Sequence, residues 1–303
     1  MKIFDKLLVI INEDVSFEAS KTKIQAFIDS LTLAEVIEMI ENIGIIPECI
    51  EASSSAEKKY SKASDMMVAR AFQELNFKAK AITERGNAAD VVVESVERSY
   101  SFVSDAKSFR LSRTAKNQKD YKVDSLSKWR GSNDYAVLIA PYFQYPTVSS
   151  QIFEQSLLEN VLLFSWEHLA LLLRKSIKET EHVSLEQIWN FPMKFKKRIP
   201  VSDLQNNFLH EFNTYFMSEI KLDLIETKTL MKEQVDSIKR RAASEAMYLK
   251  GIEFEIRLYD KEKAIMELIN SRKILQRQNA IHQFMGGLDD AINKYFETPS
   301  SDQ

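Results

Sequence analysis

The unbroken apolar run Tyr135-Ala136-Val137-Leu138-Ile139-Ala140 constrains this chain more than any other feature. A strand with one wet face alternates apolar and polar residues. A continuous run of this length suits a strand covered on both faces. Val161-Leu162-Leu163-Phe164 is a second such run. The β-branched triplet Val91-Val92-Val93 and the alternating stretch 100–107 read as two further strands. Helical patterns over 151–158 and 167–174 lie between and after them. The expected fold class is therefore α/β: a mixed sheet flanked by helices.

Helices are expected at both ends of the chain. In residues 1–50, Leu31, Ala34, Ile37, Ile40 and Ile43 recur at helical spacing, with Glu35, Glu38 and Glu41 on other faces. Ile46-Pro47 breaks this block, and Ala52-Ser53-Ser54-Ser55 reads as a loop. Residues 63–77 form another helix, whose Met66 and Met67 read as core packing. From 202 to 296 the pattern is helical throughout, too long for one ordinary helix, so two or three are expected. This gives an N-terminal helical segment (1–60), a sheet-bearing core (61–200) and a C-terminal helical region (201–303).

Composition narrows the function. Six Gly and six Pro in 303 residues argue against long flexible linkers. Cys49 is the only cysteine and there are four histidines, which excludes an intrachain disulfide and a thiolate zinc cluster. A cytoplasmic location is expected. The run Leu7-Leu8-Val9-Ile10-Ile11 is bracketed by charges and too short to span a bilayer, so it reads as an amphipathic helix, with no membrane partner. Ser149-Ser150 lacks a nucleophile-elbow pattern, Gly286-Gly287 reads as a helix break, and Trp129, Trp166 and Trp189 read as core or rim.

Chemistry gathers around Asp105-Ala106-Lys107. Residues two apart on a strand share a face, so Asp105 and Lys107 point the same way. Either charge alone is costly to desolvate beside a buried sheet. A divalent cation and a phosphate between them resolve that cost. Asp90 opens the preceding strand, and if the two strands pair as neighbours the carboxylates converge. Asp90, Asp105 and a backbone carbonyl, that of Ala106, suit Mg²⁺, which prefers oxygen ligands and keeps much of its hydration. Lys107 can then hold or activate the attacking water. A salt bridge at a strand end is the ordinary alternative for such a tripeptide.

The following segment favours the first reading. Lys107, Arg110, Arg113, Lys116, Lys119 and Lys122 recur every third residue, with Asp120 the only acid among them, in a chain whose net charge is −3. Ordinary surfaces interleave signs; this stripe suits a phosphate backbone. Asn117 and Gln118 can pair with adenine, and arginine with guanine, in the major groove. Arg110, Arg113, Asn117 and Gln118 therefore form a candidate base-reading set within a DNA-reading segment, 108–123.

Several stretches resemble the HindIII-type restriction endonucleases. They are 85–90, 105–120, Asp134-Tyr135-Ala136-Val137-Leu138, Phe143-Gln144-Tyr145-Pro146 and 160–169. The resemblance is strongest from about residue 61 to 191. It implies the PD-(D/E)xK nuclease fold, a homodimer, and cleavage of both strands of the palindrome A-A-G-C-T-T with 5′ overhangs. It further implies that Asp90, Asp105 and Lys107 are the acid, acid and lysine of the centre, with Asp120 assisting. Ala89 stands where the signature has proline. A methyltransferase of the same restriction system is the implied functional partner. Two other readings compete: a nuclease of this fold acting on junctions or in repair, and a DNA-binding protein without catalysis. The amide-rich segment favours sequence reading over shape reading, and the intact acids disfavour a pure binder.

Overall fold

The structure is a computed structural model that describes residues 2–82, 88–113, 118–146, 150–196, 201–279, 281–283 and 285; residues 201–207 and 224 are described by backbone alone. The chain divides into two compact units, Met1–Glu245 and Ala246–Gln303.

Three helices open the chain: α1 (Ile3–Asn12), α2 (Phe17–Asp29) and α3 (Leu33–Ile43). Thr32 and Glu35 form a reciprocal capping box at the start of α3, satisfying backbone donors that a helix end leaves open. Helix α4 (Ser55–Glu74) follows, capped by Ser54 through the Glu57 backbone N–H at 3.1 Å. It begins earlier than the pattern 63–77 suggests. Met66 and Met67 are buried in it, as core residues.

The sheet has five strands in the order β1 (Phe77–Ala81), β2 (Val91–Ser95), β3 (Ser101–Ala106), β4 (Tyr135–Ala140) and β5 (Val161–Ser165). The first two pairings are antiparallel and the last two parallel. The apolar runs are the fully covered strands: every residue of β5, and every residue of β4 except Tyr135, is buried. Strand β1 departs from the sequence reading, which has no strand before Val91. Its Phe-Lys-Ala-Lys-Ala sequence has little β-propensity of its own. Pairing with β2 fixes it, with Ala79 opposite Val93 and Lys78 opposite Glu94. Asn76, at φ 70°, makes the left-handed exit from α4 that lets the strand begin.

Between β3 and β4 lie the short helices α5 (Gln118–Tyr121) and α6 (Val123–Trp129), and between β4 and β5 lies α7 (Gln151–Leu158). Helices α8 (Trp166–Arg174), α9 (Glu186–Trp189), α10 (Phe191–Lys196), α11 (Val201–Ile220), α12 (Leu224–Arg257) and α13 (Lys261–Ser271) complete the chain. The last three answer the expectation of two or three C-terminal helices. Phe72, Phe77, Phe102, Phe164 and Trp189 interlock mostly edge to face, with centroids 4.9–6.3 Å apart. This cluster ties α4 and α9 to the sheet. No described helix is long and apolar enough to cross a membrane.

Candidate active site

The β2–β3 register brings the two acids together. Val91 lies opposite Ser104. Continuing that antiparallel register by one residue sets Asp90 opposite Asp105, and directly opposed residues share a face. Ladder pairing with β2 stops at Ser104, while β3 runs on to Ala106. Asp105 and Ala106 therefore form the end of the strand beyond its β2 partner.

Asp105 is fully buried. Its Oδ2 accepts a hydrogen bond from Lys107 Nζ at 2.5 Å, and its Oδ1 has no hydrogen-bond partner. The Asp90 carboxyl is pushed up from the usual carboxylate range. Burial is the main cause, followed by its close approach to Asp105 and the charges of Asp65 and Asp105, with Lys107 opposing. Two carboxylates this close cannot hydrogen-bond to each other while both are ionised. Protonation of one carboxyl, or a cation between them, would relieve the repulsion.

Lys107 is placed by its backbone. Its N–H donates to Ile139 O at 2.7 Å, and its carbonyl accepts from Trp166 Nε1 at 2.9 Å. The chain beyond it runs against the end of α3. Ser108 Oγ donates to Ile43 O (2.8 Å), Phe109 N to Gly44 O (3.0 Å) and Ile46 N to Phe109 O (3.2 Å). Gly44 is required by close approach: a Cβ there would lie 2.5 Å from Trp166 Cδ1.

The basic segment is not one helical face. Residues 108–113 are irregular, and α5 and α6 meet at Lys122, which adopts φ 49°. Arg110 folds back, with its guanidinium on Glu57 (2.8 Å) and Pro47 O (2.8 Å). Arg113 pairs with Asp120 at 2.6 Å and lies over the Phe109 ring. Gln118 donates to Gln155 at 2.7 Å. Lys119 and Lys122 are exposed. Lys116 and Asn117 lie outside the described residues, as do the turn 85–87 and Gly286-Gly287.

Sequence reasoning missed Asp65 and the role of Trp166. Asp65, on α4, is buried beside the two acids. Burial raises its carboxyl to about 7, with Lys62 lowering it and Asp105 raising it. The signal was there: an acid within the apolar stretch Met66-Met67-Val68-Ala69, three residues after Lys62. Trp166 is buried, as expected of a core residue, but its N–H also holds the Lys107 carbonyl.

The residues present fit a divalent cation. Asp105 Oδ1 is buried with no hydrogen-bond partner, an open acceptor that a cation would fill. No three acidic, histidine or cysteine side chains among the described residues form a ready metal cage. The carboxylate oxygens of Asp90 and Asp105 are the donor type a hard divalent cation takes.

Residues 6–285 match the HindIII restriction endonuclease family. The chain is 48% identical over 286 residues to the type II restriction enzyme HindIII of Haemophilus influenzae (strain ATCC 51907 / DSM 11121 / KW20 / Rd), covering 94% of this chain and 95% of that enzyme. Among solved structures, restriction endonuclease FokI matches with TM-scores of 0.36 alone and 0.35 bound to DNA, at 14% and 12% identity. Those matches cover 59% of this chain and only about a third of FokI, 34% and 33% respectively. With a family match over nearly its whole length and a relative of this identity, the chain belongs to the HindIII restriction endonuclease family.

Proposed function

We propose that this restriction endonuclease uses Mg²⁺ to hydrolyse one phosphodiester bond in each strand of A-A-G-C-T-T, leaving 5′ overhangs with 5′-phosphates. The observation that supports the catalytic assignment is the register pairing Val91 with Ser104, which extended by one residue brings Asp90 level with Asp105, and Lys107 on the Asp105 carboxylate. The sequence assignment rests on the 48% identity to HindIII.

Asp90, Asp105 and the Ala106 carbonyl would hold the cation, which supplies stabilisation of charge on the scissile phosphate. Lys107 orients the attacking water; Asp105 Oδ2 and the clamped backbone keep its ammonium in place. Attack in one step on phosphorus leaves a 3′-hydroxyl. Asp120 assists indirectly, by holding Arg113. Lys116, Lys119 and Lys122 grip phosphates. Arg110, Arg113, Asn117 and Gln118 read bases, Arg110 after exchanging Glu57 for DNA.

A palindrome calls for two copies related by a two-fold axis, so the working form is a homodimer. Exposed apolar side chains on the second unit support this: Met247, Phe254, Leu258, Ile265 and Leu268 all face solvent, and α13 buries none of its residues. A cytoplasmic location follows from the substrate, and a methyltransferase that protects the host's own sites is the functional partner.

Digestion of a plasmid with one A-A-G-C-T-T site tests the proposal. A single cut with Mg²⁺, none with EDTA, and 5′ overhangs on sequencing are expected. Discrete cuts elsewhere would refute the site. Cleavage of a four-way junction but no duplex would support the junction reading.

A further inference from the structure

Asp65 is an unused carboxylate in the most charged part of the interior. Its side chain is only 5% exposed, and the catalytic assignments above leave it without a task. Lys62 Nζ pairs with its Oδ2 at 3.3 Å, long for a charge-assisted hydrogen bond, while giving a 2.6 Å hydrogen bond to Ile82 O. Asp65 Oδ1 has no partner, although buried carboxylates normally fill their acceptor positions. The nearby charges pull both ways: Lys62 and Lys107 relieve Asp65, and Asp105 opposes them. Asp105 acts on Asp65, and Asp65 acts on Asp90. Three carboxylates (Asp65, Asp90 and Asp105) thus share the ammoniums of Lys62 and Lys107, and two buried oxygens, one each on Asp65 and Asp105, stay unpartnered. Such a like-charge group in a poorly solvated place is costly unless a cation enters.

We propose that Asp65 is a positioning residue of the catalytic centre, an anionic wall that acts through the hydration shell of a divalent cation to tighten its hold on Asp90 and Asp105. The inference rests on the reading of those two acids as the cation site. Asp65 is assigned to the wall rather than the ligand set because it comes from α4, not from the strand ends that carry Asp90 and Asp105. Lys62 tempers it: by sharing its ammonium with Ile82 O, whose own N–H donates to Asp90 O at 2.7 Å, Lys62 fixes the strand end carrying Asp90 while leaving Asp65 half neutralised.

Titration of the full-length protein with Mn²⁺, followed by electron paramagnetic resonance, tests this without reference to cleavage. Partners just outside a metal's ligand shell change affinity about 10–100-fold, so Asp65→Asn should weaken Mn²⁺ binding by about tenfold or more. Its metal-free melting temperature should hold or rise, since a poorly paired buried charge is removed. Asp65→Glu, which keeps the charge, should bind within about twofold of the parent on the same scale. Asp90→Asn is the reference. If it weakens binding and Asp65→Asn does not, the inference on Asp65 is overturned while the cation site stands. If neither weakens binding, the cation site falls and the inference with it. Should Asp65→Asn fail to fold, Asp65→Ser decides on the same titration. Mn²⁺ binding weakened by about tenfold or more is expected, and binding as tight as the parent's would overturn the proposal.

Discussion

At the scale of single residues, buried charge dominates. Lys107→Met leaves Asp105 buried without its ammonium. Breaking a buried pair costs about 3–5 kcal/mol, so the melting temperature should drop. Adding Asp105→Leu should recover stability but not cleavage, separating the pair's structural and chemical parts. His168 gives a second prediction, in pH. Its ring bonds to Ser165 and Asn213, and burial pushes its imidazole down to about 4. The unfolded chain takes up that proton near 6.5. Between these values the unfolded state binds more protons, so stability falls as pH drops from about 6.5 to about 4, by about 3 kcal/mol in all. In His168→Gln this loss is absent. Urea titrations at pH 7 and 4.5 should show the variant's deficit shrinking toward acid; a constant deficit would refute the account.

At the scale of elements, the end of β3 is a clamp. Gly44→Ala would drive a methyl into Trp166, whose N–H holds the Lys107 carbonyl. Overpacking of this kind costs about 1–3 kcal/mol. Single-turnover cleavage should fall more than DNA affinity, because Lys107 moves while the basic segment stays; equal losses would contradict this. The same elements show what a sequence reveals. The double-covered strands β4 and β5 were legible because burial on both faces leaves an unbroken apolar signature. The meeting of Asp90, Asp105 and Lys107 was legible because strand periodicity and local order bring them together. Strand β1 was not, because two lysines and two alanines become a strand only through β2. Asp65 was hidden for a related reason. Helical spacing shows an acid in an apolar stretch but not which strand end it meets. The three-residue spacing of the basic stripe suggested one surface, whereas Arg110 turns inward to Glu57.

At the scale of the whole molecule, the exposed apolar residues of α12, α13 and the turn between them bear on assembly. Leu258 is 69% and Leu268 54% exposed. Leu258→Glu with Leu268→Glu should therefore leave the fold intact, since neither leucine is packed in the core. If these helices carry the two-fold contact, sedimentation should shift from dimer to monomer, with loss of concerted double-strand cleavage. An unaltered dimer would move the interface elsewhere.

The central claim is that Asp90, Asp105 and Lys107 form the cutting centre, apart from the residues that grip and read DNA. Asp105→Ala tests it most directly, with binding and single-turnover cleavage measured on the same A-A-G-C-T-T duplex. The account predicts that binding largely survives while cleavage is abolished. Cleavage at the parent's rate would contradict it and remove the whole site assignment.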